Sequence, residues 1–163
     1  MFVLFVRFLH VASAVWFIGG IVARQIVRAY AKRTDDVRCF AALSEAAGRL
    51  ETIMVIPGSM AVLVIGVVLG LLIKAPILGF LQGASRNWLL VSNLLILTAF
   101  LCVPLIFLPR GKKYDVVLND ALAKGEMTPE LRLKLADPVV RAAHWYELIS
   151  LVVVLFLMVL KPF

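Results

Sequence analysis

The chain has 163 residues, 63% of them hydrophobic, and a formal net charge of +7, with a mean hydropathy of +1.00. That apolar content exceeds what a soluble domain of this size can bury, and it points to a membrane protein. A nucleic-acid role is excluded, because the basic residues flank apolar runs and form no separate basic face.

The first apolar run extends from Phe2 to about Ala23. It lacks a basic leader and a small-residue cleavage site, so it reads as a permanent span and not a signal peptide. A basic loop follows, with Arg24, Arg28, Lys32, Arg33, Arg38 and Arg49. Within it, Val37, Phe40 or Ala41, and Ala47 recur at helical spacing. This segment either extends a neighbouring span into the cytoplasm or lies on the membrane surface.

The second run covers Thr52 to about Ile73, with Pro57 and Gly58 placed to bend it. Gly66 and Gly70, four residues apart, offer a small face for close helix packing. The second loop carries only Lys74 and Arg86. The third run covers Trp88 to about Leu108 and contains Pro104.

The third loop is again basic, with Arg110, Lys112, Lys113, Lys124, Arg132, Lys134 and Arg141. Gly125 is a helix stop, and Thr128-Pro129 and Asp137-Pro138 are helix starts. The fourth run covers about Ala142 to Leu160 and is expected to begin as a helix before the bilayer does. Each run is long enough to span a bilayer as a helix, and none alternates with a period of two.

The expected fold is therefore all-α: a four-helix integral membrane bundle, a single domain over 1–163. Lysine and arginine bias places loops one and three in the cytoplasm and both termini outside. Cys39 and Cys102 have no paired spacing and read as two reduced thiols, with no disulfide or zinc site.

Charged or metal-ligating residues inside a span are the candidates for chemistry. His10 lies roughly 13 Å below the outer end of span one, and Arg7 lies one turn nearer the surface. Asn93 and Thr98 of span three bracket a similar depth, and Met158 and Lys161 lie near the outer end of span four. His144 lies about 12 Å from the level of His10, too far for both to hold one metal ion in a straight monomer. His144, Trp145 and Tyr146 read as an interfacial belt, and Glu147 as a partner for a basic residue.

His10 reads either as a neutral histidine bonded to a carbonyl or hydroxyl of a neighbouring helix or, since imidazole is the usual axial ligand of a b-type haem held between helices, as the cofactor and metal candidate. Arg7 would meet a haem propionate. Ala12, Ser13, Ala14 and the Gly19-Gly20 pair would leave room for a flat macrocycle. Copper at His10 is the rival reading, with Met158 as a soft second ligand. The chain has no His-Glu-x-x-His motif, Walker loop or nucleophile elbow, and no carboxylate chain for a proton pump.

The stretch "LHVASAVWFIGG" resembles the first span of CopD-type copper-resistance membrane proteins and of HemJ-type protoporphyrinogen oxidases. Over nearly the whole chain, "IPGSMAVLVIGVVLGLL", "NWLLVSNLLIL", "FLPRGKK" and "MVLKPF" resemble another bacterial family of predicted integral membrane proteins. That family is domain-of-unknown-function family twenty-two sixty-nine. This second resemblance implies a four-span protein of the bacterial inner membrane and supplies no reaction.

Two functional expectations follow. One is a non-catalytic membrane subunit or scaffold, embedded in the lipid bilayer and assembled as a homo-oligomer or within a larger membrane complex. The other is a haem-b or copper-binding redox or metal-handling protein with His10 as ligand.

Overall fold

The computed structural model describes residues 1–162, and over them the chain is helical with no strands. Its helices are α1 (Phe2–Ala31), α2 (Val37–Leu50), α3 (Ile56–Leu72), α4 (Trp88–Cys102), α5 (Leu108–Lys124), α6 (Pro129–Leu135) and α7 (Pro138–Leu160). Two π-helical turns, Glu51–Val55 and Val103–Phe107, join α2 to α3 and α4 to α5 without a break. Four helical runs are long and apolar enough to cross a membrane: Phe2–Ala31, Val37–Leu72, Trp88–Lys124 and Pro129–Leu160.

The helix boundaries follow local chemistry. Asp36 caps α2 by accepting from the N–H groups of Arg38 at 3.1 Å and Cys39 at 3.2 Å. Thr128 caps α6 through the Leu131 N–H, and Asp137 caps α7 through Val139 and Val140. Proline follows both of these caps, where its missing N–H costs nothing. Gly125 ends α5 in the left-handed region, at φ +73.

Each proline within a span disturbs the hydrogen-bond ladder of its own helix. Pro57 has no N–H to offer the Ile53 carbonyl four residues back, and the turn just before it is π-helical, with Ile56 N–H bonded to the Glu51 carbonyl. Pro104 likewise cannot serve the Phe100 carbonyl. There the Val103 N–H takes that oxygen, and the π turn closes with Leu108 N–H on the Val103 carbonyl. The segment between Thr34 and Leu50 thus extends span two, continuous with it through a π turn.

The chain forms two compact units: Met1–Ala75 with Ala121–Met127, and Pro76–Asp120 with Thr128–Phe163. In the first, α1 packs against α2, the first π turn and α3. Its most buried side chains are Ile21, Arg24 and Ala31 from the second half of α1, Val37, Phe40 and Ala47 from α2, and Ala121 from α5. Val37, Phe40 and Ala47 are three of the residues whose spacing marks the helical face. In the second unit, α4 packs against α7, with Ser92, Leu131, Ala143, Ser150 and Leu157 buried. The apolar stretches of the spans stay largely uncovered, 6% buried over the most apolar window of α1. Lipid tails receive such surface as readily as protein does, so in the first unit most burial falls in α2 and the second half of α1.

Candidate functional site

The first unit gathers the residues of the "LHVASAVWFIGG" stretch into one antiparallel seam between α1 and the run from Glu51 to Gly66. Four contacts define it, and their partners descend along the second run as α1 is followed forward.

His10 rests on Gly66. A β-carbon at Gly66 would lie 2.8 Å from His10 Cε1 and 3.3 Å from Nδ1, so any side chain there would displace the ring. The imidazole also meets the backbone of Val62, one turn earlier. Its Nδ1 is enclosed with no hydrogen-bond partner among the described residues.

Trp16 and Phe17 come next. A β-carbon at Gly58 would lie 3.0 Å from the Phe17 Cα and 3.1 Å from Trp16 Cδ1, which brings the two helix backbones close. Trp16 Nε1 donates to the Ile53 carbonyl at 3.4 Å. This is the carbonyl that Pro57 leaves without its ladder donor. The indole therefore repairs a defect that the proline creates on the neighbouring helix.

Gly20 then packs on the π turn itself, where a β-carbon would meet the Met54 Cβ at 2.6 Å and Val55 at 3.3 Å. Gly19 is exposed, and its nearest neighbour is the end of the Met54 side chain. Last, Arg24 forms an ion pair with Glu51, the first residue of the π turn. Arg24 is only 1% exposed and Glu51 26%.

Arg24 lies within α1 and is buried, whereas its place just past the apolar run puts it with the cations of the first loop. One signal was available: Arg24 follows His10 and Phe17 at spacings of seven and therefore lies on the seam face of α1. Arg7 faces elsewhere. It is exposed and has no hydrogen-bond or ion-pair partner among the described residues.

The second unit has its own polar set around the second π turn. The Phe107 and His144 rings stack with centroids 4.6 Å apart. His144 Nδ1 lies 3.5 Å from Glu147 Oε2, and both side chains are mostly buried. The Thr98 and Tyr146 hydroxyls hydrogen-bond to each other. Of the expected belt only Trp145 faces outward, at 61% exposed, while His144 and Tyr146 turn toward the helix that carries Thr98 and Phe107. Asn93 donates to the Ile77 carbonyl at 3.3 Å. Met158 is half-buried on α7.

Outside the spans, Arg110 pairs with Asp137. Partial desolvation pushes the Asp137 carboxyl upward, but the Val139 N–H, the Arg110 side chain and the Val140 N–H together hold it below the usual carboxylate range. Among the described residues, no three or more His, Cys, Asp or Glu side chains come together as a metal-holding group.

The fold and this seam define an all-α integral membrane protein with four membrane-length helical runs. The family model described as "Predicted integral membrane protein (DUF2269)" matches residues 4–162, and the chain belongs to that family. No curated protein and no solved structure matches it.

Proposed function

We propose that the protein is a non-catalytic membrane subunit or scaffold, working as one four-span domain in the bacterial inner membrane within a homo-oligomer or a larger complex. The observation that carries this reading is the use of polar residues in the seam. Trp16 is spent on a proline defect and Arg24 on a buried ion pair with Glu51, while Gly20, Gly58 and Gly66 set helix spacing. Trp16 and Arg24 of the first helix thus serve helix pairing. Orientation is part of the proposal: both termini outside, and the loops after spans one and three cytoplasmic.

The test is purification from membranes in a mild detergent, with metal analysis and absorption spectra of the oxidised and reduced protein. The expected preparation is colourless, free of stoichiometric metal, and larger than a monomer or joined to fixed partners. A Soret band or bound copper that is lost in His10→Ala overturns it. Labelling of Arg86→Cys from outside and Lys113→Cys from inside checks the orientation, and the reverse pattern overturns that part.

A second reading, haem b or copper at His10, draws support from one observation. The enclosed Nδ1 lacks a partner, and buried polar atoms ordinarily have one. In this reading Arg7 would serve a propionate. The fit to a macrocycle is poor, because the ring edge holding both nitrogens is pressed on the α3 backbone at Gly66.

A further inference from the structure

The second loop is ordered in a way that its role as a simple connection does not require. It leaves α3 through Lys74, a non-glycine residue at φ 53, and makes one short 3-10 turn over Gly79–Gln82. It then presses against the start of α4. Gly79 is buried at φ +56, where a β-carbon would collide with the Asn87 side chain and lie 3.3 Å from Leu90 Cβ.

Asn87 and Asn93 hold it there, and Gln82 braces the loop from within. Asn87 Oδ1 accepts from the Phe80 N–H at 2.8 Å, and Gln82 Oε1 accepts from the Leu78 N–H at 3.2 Å. Asn93 Nδ2 donates to the Ile77 carbonyl at 3.3 Å. The N–H groups of Gly79, Leu81, Gly83 and Ala84 are bonded within the loop.

These bonds fix its depth. Trp88 opens α4, and Lys161 at the end of α7 places its Nζ 5.5 Å from the Trp88 ring centroid. Tryptophan and lysine at helix ends mark the headgroup layer. Phe80 is bonded to Asn87, next to Trp88, so it sits at that level. Ile77 is bonded to Asn93, five residues further into the span and therefore about 7.5 Å deeper along the helix. The loop folds back beside the span and does not project away from it.

At that level it exposes Leu78 (47%), Phe80 (63%) and Leu81 (65%). From Lys74 to Trp88 there is no acidic residue, and Arg86 is exposed. Apolar side chains facing outward, flanked by cations alone, match an anionic phospholipid surface. The bonded N–H groups of Leu78, Gly79, Phe80, Leu81, Gly83 and Ala84 also suit an interfacial position, since a non-helical chain facing lipid is costly where its N–H groups are unpaired.

We infer that residues 76–87 form a re-entrant interfacial anchor. Leu78, Phe80 and Leu81 enter the acyl boundary of one leaflet, and Arg86 with Lys161 engages anionic headgroups. This rests on the membrane character of the chain and is independent of the subunit reading.

The experiment attaches a nitroxide at Phe80→Cys, and separately at Leu81→Cys, in full-length protein carrying Cys39→Ser and Cys102→Ala. Lys113→Cys serves as the water-exposed reference. Collision of each label with oxygen and with a water-soluble nickel chelate is measured in phosphatidylcholine vesicles with and without phosphatidylglycerol. Both loop labels are expected to favour oxygen over nickel several-fold more than the reference does. Phosphatidylglycerol should deepen them, and Arg86→Gln should remove that gain. Nickel access equal to the reference overturns insertion. Shielding from both reagents overturns it too, since it means that a second copy or another protein covers the loop. A depth indifferent to phosphatidylglycerol overturns the anionic preference.

Discussion

The two units answer the same problem in different ways. Each contains a proline-disturbed span, a π turn, a histidine packed on the neighbouring helix, and an arginine-carboxylate pair separated by 27 residues. In the first unit the carbonyl orphaned by Pro57 is served across the seam by Trp16, and the arginine is 1% exposed. In the second, the carbonyl orphaned by Pro104 is served within its own helix by Val103, and the arginine is 40% exposed. Repairs made between helices tie those helices together, whereas repairs made within one helix leave its neighbours free. The first unit should therefore be the more brittle under substitution.

The largest expected effect is that of Glu51→Ala. It takes a carboxylate away from a buried guanidinium, which costs about 3 kcal/mol when one member of a buried pair is removed. Unfolding in mixed micelles would read this as a large fall in the denaturant midpoint. A loss no greater than that of Arg110→Ala would erase the contrast between the units.

Gly20→Val comes next. Its side chain would collide with the Met54 Cβ, which cannot swing aside, and overpacking of this kind costs about 2 kcal/mol. Gly66→Ala should be milder, because the atom it meets belongs to a side chain that can move. Its cost should largely vanish in a His10→Ala background. If the cost is the same in both backgrounds, His10 is not what Gly66 accommodates.

Arg110→Ala should destabilise less than either Glu51→Ala or Gly20→Val, and the effect should fade in high salt, as exposed pairs do. It also has a pH signature. The Asp137 carboxyl is held below its unfolded value, so its contribution is complete above the ordinary aspartate range of about 3.9 and is lost as pH falls through the lower folded value. In Arg110→Ala part of that acid-limb loss should disappear, whereas an unchanged pH profile would show that the backbone N–H groups alone hold the carboxyl down.

Trp16→Phe should have the smallest effect, about 0.6 kcal/mol, the average for a polar contact between membrane helices. It should fall further in a Pro57→Ala background, where the helix can serve its own carbonyl. Equal cost in both backgrounds would break the link between the indole and the proline.

Much of the fold was legible in the sequence because it depends on local chemistry. Apolar length marks a span, and Thr128, Asp137 and Gly125 announce helix ends wherever they occur. The helical face of Val37, Phe40 and Ala47 was legible for the same reason. The route from α2 into span two was not, because a five-residue hydrogen-bond step depends on Pro57 and on Gly20 from another helix. Arg24 was hidden by its position just past an apolar run, where a buried and a solvated arginine look alike until Glu51 is seen opposite. Asn93 looked like a polar residue at the depth of His10, and only the folded loop reveals its bond to Ile77. His10 was singled out by its chemistry, but its seat on Gly66 required the register of two helices.

The π turn at Glu51–Val55 also has a geometric consequence. A π turn holds one residue more than the α-helical turn it replaces, and each residue of an α-helix advances the side-chain direction by about 100°. The turn thus works as a phase shifter between α2 and α3. It lets α2 aim Val37, Phe40 and Ala47 inward while α3 independently aims Gly58 and Gly66 at α1. Deleting one residue there would leave a smooth helix of nearly the same length and composition, yet one of its two faces would point away from everything it now touches.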